Sequence, residues 1–155
     1  MKVLKQKVAV VTGGASGLGR SMALAFAREG MRVAIADVDA AGLERVAGEF
    51  RALGLKVLAL HTDVTSAEDV DALAERVVAE LGGVHLVCNN AGVALMAPVW
   101  ETTVADWQWT LGVNLWGVIH GLRAFVPRLL AQDEGHIVNT ASVAGLISPP
   151  GSGAY

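Results

Sequence analysis

Apolar residues along this chain change their spacing in a regular rhythm. Val8-Ala-Val-Val11 is a short continuous apolar run that ends at Thr12 and two glycines. After it, Leu18, Met22, Ala25 and Phe26 fall on one helical face, and Gly30 supplies a stop. A second run, Val33-Ala-Ile-Ala36, ends at Asp37. Leu43, Val46, Ala47, Phe50 and Leu53 mark the next helix, with Gly54 as its C-terminal cap. Val57-Leu-Ala-Leu60 reads as a third strand. Ser66 and Asp69 read as a capping box for a helix whose apolar face is Val70, Leu73, Val77 and Leu81. Val84 to Cys88 predicts a fourth strand. Thr103 and Asp106 open a long helix running toward Pro127, where an interior proline is expected to kink or end it. His136 to Thr140 predicts the fifth strand.

Uniformly apolar strands alternating with amphipathic helices predict an α/β fold with a parallel sheet covered on both faces. Right-handed crossovers make it a doubly wound, Rossmann-like sheet, and five strands are too few for an eight-stranded barrel. Neither repeats nor low-complexity linkers divide the chain, so residues 1–155 read as one domain.

Composition narrows the class. Of 155 residues, 53% are hydrophobic and 17% charged, which argues against disorder. Net charge is −3, without the basic excess of a nucleic-acid binder. One cysteine, Cys88, excludes an intramolecular disulfide and fits a reducing, cytoplasmic setting. Met1–Lys7 is basic, but the apolar run behind it is too short for a signal-peptide core. The longest charge-free stretch, Ile137–Tyr155, is broken by prolines and glycines, so no membrane span is expected. The four histidines show no metal-ligand spacing, and Ser142 lacks the G-x-S-x-G of a hydrolase elbow.

The chemistry starts at Thr12-Gly-Gly-Ala-Ser-Gly-Leu-Gly19, between the first strand and its helix. Glycines permit a tight turn, close approach of backbone N–H groups to a pyrophosphate, and close helix–strand packing. Gly13, Gly17 and Gly19 follow G-x-x-x-G-x-G, and the Lys-Ser/Thr of a P-loop is absent, which disfavours an ATPase or GTPase. Asp37 ends the second strand, where a carboxylate either accepts from an adenosine ribose or caps the next helix, a role open equally to Asp39. The same carboxylate repels a 2′-phosphate, and no Lys or Arg stands at Ala15, Ser16 or Val38. The cofactor expected is NAD, with NADP less favoured.

The turn and four later segments resemble the classical short-chain dehydrogenase/reductase family. These are Asp63-Val64, Asn89-Asn-Ala-Gly92, Asn114, and Ser142 with Tyr155. The resemblance implies that Gly13, Ser16, Gly17, Leu18, Gly19, Asp37, Asp63, Val64, Asn90, Ala91 and Gly92 hold the cofactor. It also implies that Asn114, Ser142 and Tyr155 are catalytic. Each residue also has a plainer reading: a solvated loop acid (Asp63), a loop-stabilising amide (Asn90), a satisfied core amide (Asn114), a turn serine (Ser142). In the catalytic reading, Tyr155 exchanges a proton with the substrate oxygen while Ser142 hydrogen-bonds that oxygen, and the hydride belongs to the nicotinamide.

The family's pattern continues Tyr-x-x-x-Lys, but this sequence stops at Tyr155. An ordinary tyrosine is phenolate in roughly one molecule in a thousand at pH 7, and the implied lysine would raise that fraction. The expectation is an N-terminal, cofactor-binding portion of the family's fold, with later strands missing and the fifth strand left as an exposed edge. Such a chain is expected to show little turnover alone. The implied activity is an NAD-dependent oxidoreductase acting on a small alcohol or ketone, and a homo-oligomer once the fold is completed. A non-catalytic dinucleotide-binding fragment or pairing module stays open. A Rossmann-like methyltransferase gives no reason for Asn114, Ser142 and Tyr155 together. Trp107, Trp109 and Trp116 read as core or subunit-contact residues. Leu95, Met96, Trp100, Leu146 and Ile147 are candidates for an apolar pocket or for packing.

Overall fold

In the computed structural model, which describes residues 3–147 and 149–155, each apolar run becomes a strand. The strands are β1 (Val8–Thr12), β2 (Arg32–Asp37), β3 (Val57–His61), β4 (Leu86–Asn89) and β5 (His136–Asn139). All pair in parallel, in the order β3-β2-β1-β4-β5. The fourth strand starts at Leu86, two residues later than expected. The His85 Nδ1 accepts the Val8 amide (3.2 Å), so a side chain and not a strand carbonyl meets the amide that opens β1.

Alternate residues of the sheet feed two cores. Val8 and Val10 join Ala34, Ala36 and Val87 beneath helices α3 (Ala67–Leu81) and α5 (Gly117–Ala131). Ala9 and Val11 join Val33, Ile35, Leu86 and Cys88 beneath α1 (Gly17–Arg28) and α2 (Ala40–Ala52). This two-sided cover is the doubly wound arrangement that the uniformly apolar strands predicted. The β5 edge is less protected: Ile137 and Val138 are only partly buried, while β1 is buried throughout.

The predicted face of α1 needs correction. Its buried stripe is Gly19, Ala23 and Ala27; Leu18 is 60% exposed and Ala25 exposed, with Met22 and Phe26 flanking. Small side chains let this helix lie close to the sheet, a gain that hydropathy does not register. The α2 helix follows its prediction except that Leu53 is exposed; Gly54 (φ +71°) lies just past it, where the Leu55 amide closes on the Phe50 carbonyl. At α3, Ser66 caps the Asp69 amide. The Asp69 carboxylate, however, accepts from the Ser66 hydroxyl and the Asp63 amide instead of the Ser66 amide, so the predicted box is only half formed.

The long helix is three pieces. A full capping box (Thr103, Asp106) starts α4 (Val104–Leu111); a π-helical turn spans Gly112–Trp116; α5 follows. Pro127 neither ends nor bounds α5, which runs on to Ala131. Pro127 and Arg123, the residue whose carbonyl loses its amide partner, both lie on the exposed side of the helix.

Candidate functional site

Strand register brings five loops to one end of the sheet. Thr12 is level with Ala36, Asp37 with His61 and Asn89 with Asn139, so the segments after all five strands meet at their carboxyl ends. Between them lies a cleft of about 880 Å³. Gly13, Ser16, Gly17, Leu18, Gly19, Asp37, Asp63, Val64, Asn90, Ala91 and Gly92 line it, and so do Asn114, Ser142 and Tyr155. Sequence reasoning missed Val38, Thr65, Val93, Trp109, Thr140 and Ala144, which also line it. Their short or apolar side chains carry no signal of their own.

The glycine turn depends on missing side chains at two positions. A Cβ on Gly19 would stand 2.1 Å from the Gly13 carbonyl oxygen, so only glycine lets α1 start so close to the turn. Gly17 has φ +51°, and a Cβ there would meet nothing within 4 Å, so bare backbone faces the cleft. Asp39, Ser66 and Thr103 cap α2, α3 and α4, whereas Ser16 makes no side-chain cap bond to α1 and is exposed. The first amides of α1 are thus left for a ligand, and a pyrophosphate fits an open, positively polarised helix end of this kind.

The loops are braced from behind. Thr12 is 5% exposed; its hydroxyl accepts the Asn90 and Ala91 amides (2.9 and 3.0 Å) and lies 3.4 Å from the Cys88 carbonyl. The Asn90 amide group donates to the Thr12 carbonyl (2.9 Å), and its Oδ1 accepts from the Thr140 hydroxyl (3.1 Å). Asn90 therefore ties β1 to the loop after β5, the bracing role weighed for it from the sequence.

Asp39 caps α2 by accepting the Gly42 amide, which leaves Asp37 for the turn. The Asp37 Oδ2 accepts the Ala15 amide and its Oδ1 the Asp39 amide, both at 3.0 Å. Both oxygens keep further acceptor capacity at the cleft wall. Asp63 is no free loop acid: its Oδ1 accepts from the Thr65 amide and hydroxyl (2.9 and 2.8 Å). Val64 is held by α5, where Gly117 permits close contact and the His120 Nδ1 lies 3.0 Å from the Val64 carbonyl. A carbonyl only accepts, so that ring nitrogen carries the proton.

The Asn114 side chain leaves the π-helical turn and pairs with the Val93 backbone, accepting its amide (2.9 Å) and donating to its carbonyl (2.8 Å). It is a satisfied amide that fixes the cleft wall and keeps one N–H to spare. Ser142 caps a short 3₁₀ turn, Val143–Gly145, by accepting the Ala144 amide (3.2 Å). That bond uses an oxygen lone pair and leaves the hydroxyl proton free. Tyr155 is 44% exposed and is carried to the cleft by a segment whose Gly151 carbonyl accepts the Ala97 amide (2.8 Å).

Other candidates fall away from the cleft. Met96, Trp100, Leu146 and Ile147 are 63%, 82%, 89% and 55% exposed and do not line it, nor does Leu95. Of the tryptophans, Trp109 lines the cleft, Trp107 is partly buried, and Trp116 is largely exposed, 5.9 Å from the His120 ring. None is core. Burial pushes the Cys88 thiol up to about 11, so at neutral pH it is a protonated, buried thiol. Among the described residues, His, Cys, Asp and Glu form no metal-holding group, and no helix is long and apolar enough to cross a membrane.

Sheet order, glycine turn and cleft together have the architecture of a dinucleotide-binding domain. The chain belongs to the short-chain dehydrogenase family, whose model matches residues 7–155. It is 42% identical over 155 residues to SadH of Mycobacterium tuberculosis, named an oxidoreductase, covering 100% of this chain and 56% of that protein. It is 41% identical over 155 residues to the 1-deoxy-11-beta-hydroxypentalenate dehydrogenase of Streptomyces exfoliatus (98% and 56%). A solved short-chain dehydrogenase/reductase from Burkholderia phymatum, in complex with NAD, superposes with a TM-score of 0.98 at 48% identity (100% and 56%). The chain thus spans little more than half the length of these relatives.

Proposed function

We propose that the cleft binds a nicotinamide dinucleotide, NAD in preference to NADP. In this reading the whole protein is an oxidoreductase for a small alcohol or ketone. The observation that carries the reading is that one cleft holds the uncapped glycine turn, Asp37, Ser142 and Tyr155 together. The Burkholderia neighbour's NAD complex supports it.

The nicotinamide, when bound, supplies or accepts the hydride. The residues do the rest. Open amides at the start of α1 receive the pyrophosphate. Asp37, already fixed by two backbone amides, accepts from ribose hydroxyls with its remaining lone pairs, and its charge opposes a 2′-phosphate. Ser142 aims its free hydroxyl proton at the substrate oxygen, and the Tyr155 hydroxyl gives that oxygen a proton in reduction or removes one in oxidation. Asn114 holds the facing wall through Val93. The substrate is a small molecule in the cytoplasm, and the whole protein associates with further copies of itself. Residues 1–155 alone bind the dinucleotide with little turnover.

In the whole protein, Ser142→Ala is expected to lower kcat by about a hundredfold, the scale of one lost transition-state hydrogen bond, with the NADH Kd unchanged within about twofold. Tyr155→Phe is expected to cost more, about a thousandfold, by removing the proton carrier. Loss of NADH binding in either variant, or equal affinity for NADH and NADPH in the unaltered protein, would overturn these roles.

A further inference from the structure

Ala15 lies just behind the cleft wall, 1% exposed, and is held from three sides by the second βα unit. Its amide donates to Asp37 at the end of β2 (3.0 Å). Its carbonyl accepts from Arg45 Nη2 on α2 (2.8 Å). Its methyl faces Gly42, where an added Cβ would come within 2.9 Å. The same guanidinium turns its Nη1 to Glu49 (3.1 Å), and the other Glu49 oxygen accepts from Arg20 Nε on α1 (2.6 Å). The two arginines hold the Glu49 carboxyl below its usual range, the Arg20 hydrogen bond contributing most. A fork of donors oriented by a carboxylate fixes direction as well as distance. Hydropathy and motif spacing gave no hint of it, because Arg45 and Glu49 lie between the apolar positions of α2 and belong to no motif.

We infer that Arg45, oriented by Glu49, is a positioning residue for dinucleotide selectivity: by fixing the backbone at Ala15 it sets the Asp37 carboxylate at the ribose. The inference rests on the dinucleotide reading above. Arg45 itself is absent from the cleft lining, so it acts through Ala15 and not on the ligand. The Ala15 N–H and carbonyl belong to the peptide groups on either side of its Cα. Clamping the carbonyl, together with the buried methyl, holds that Cα and through it the preceding amide in line with Asp37, which keeps its remaining lone pairs on the cleft side. Without the clamp the Ala15–Ser16 peptide group loses its partner, the Ala15 Cα is less closely held, and the carboxylate loses a fixed donor. Ribose hydroxyls need that carboxylate in place, whereas a 2′-phosphate is repelled by it, so the two dinucleotides respond unequally.

The test is fluorescence titration of the whole protein with NADH and NADPH, with amide exchange of the ligand-free protein alongside. Arg45→Met should weaken NADH about tenfold, the scale of one charge-assisted hydrogen bond, and NADPH by no more than about twofold. Amide exchange at Ala15 should quicken. In an Asp37→Ala background, where the carboxylate is gone, Arg45→Met should change NADH affinity less than about twofold, because coupled residues are not additive. Arg45→Lys, with one cation and no fork, should recover part of the loss, and Glu49→Gln should give a smaller loss of the same sign. Equal weakening of NADH and NADPH, or the same factor with and without Asp37, would overturn the inference and leave Arg45 a purely structural residue. If the unaltered protein fails to bind NADH, or Asp37→Ala leaves that binding unchanged, the dinucleotide reading falls instead.

Discussion

At the amino end of the sheet, Lys7 pairs with Glu134, Arg32 donates twice to the Gln6 carbonyl, and Gln132 reaches the Val84 and Glu134 carbonyls. At the carboxyl end the bracing side chains are mostly short and uncharged: Thr12, Asn90, Thr140 and Asn114. The amino end spends long charged side chains to close itself off. At the other end, the loop backbone at Asn90, Ala91 and Val93 is satisfied from behind, which keeps these loops rigid while the first amides of α1 stay open to a ligand. A binding end needs this arrangement, because backbone groups left without partners would collapse onto one another or demand water.

The sharpest way to break the contrast is Gly19→Ala. Its methyl would sit 2.1 Å from the Gly13 carbonyl oxygen, a backbone atom that cannot swing aside. Loss of about 3 kcal/mol or more of stability is expected, read by denaturant titration, with NADH binding weakened about a hundredfold. An unchanged Kd would mean the turn does not set the site. Next comes Thr12→Val, which keeps the shape but strands the Asn90 and Ala91 amides; about 2 kcal/mol is expected from the same titration.

The smallest effect belongs to the amino end. Burial pushes the His85 pKa down, with Lys7 and Arg32 adding to that and Glu134 opposing it. Folded protein therefore binds this proton less readily than unfolded chain. The stabilising contribution is full above the ordinary histidine pKa of about 6.5 and falls away as pH drops below it. A melting temperature that is flat near pH 8 and declines below about pH 6.5 is expected, with a shallower decline in His85→Asn. An identical decline in that variant would remove His85 from the account.

Much of this was legible beforehand, for physical reasons. Strands buried on both faces must be uniformly apolar, so the five runs at Val8, Val33, Val57, Val84 and His136 marked the sheet. Caps are local, so Thr103 with Asp106 and the glycines at 30 and 54 declared helix ends. The α1 face stayed hidden because Gly19, Ala23 and Ala27 pack by being small. The Thr12 hydroxyl and the Arg45 guanidinium stayed hidden because their partners lie 78 and 30 residues away. The apolar-pocket candidates Leu95, Met96, Trp100, Leu146 and Ile147 do not line the cleft, whereas every candidate cofactor-binding and catalytic residue does, most of them because loops at strand ends are fixed by topology. Their hydrogen bonds, such as Asn114 to Val93, follow from packing that no local pattern encodes.

The π-helical turn at Gly112–Trp116 acts as a phase shifter. An α-helix advances about 100° per residue, and the surplus residue in a π turn resets that count. Within the turn Val113 and Asn114 serve the cleft, and beyond it Val118 still does while Ala124, Phe125 and Leu129 serve the core. One rod of chain thus addresses both the cleft and the core. In evolutionary terms the segment is length-locked: most substitutions along the helix alter one contact, but deleting a single residue here would rotate everything downstream by about a quarter turn.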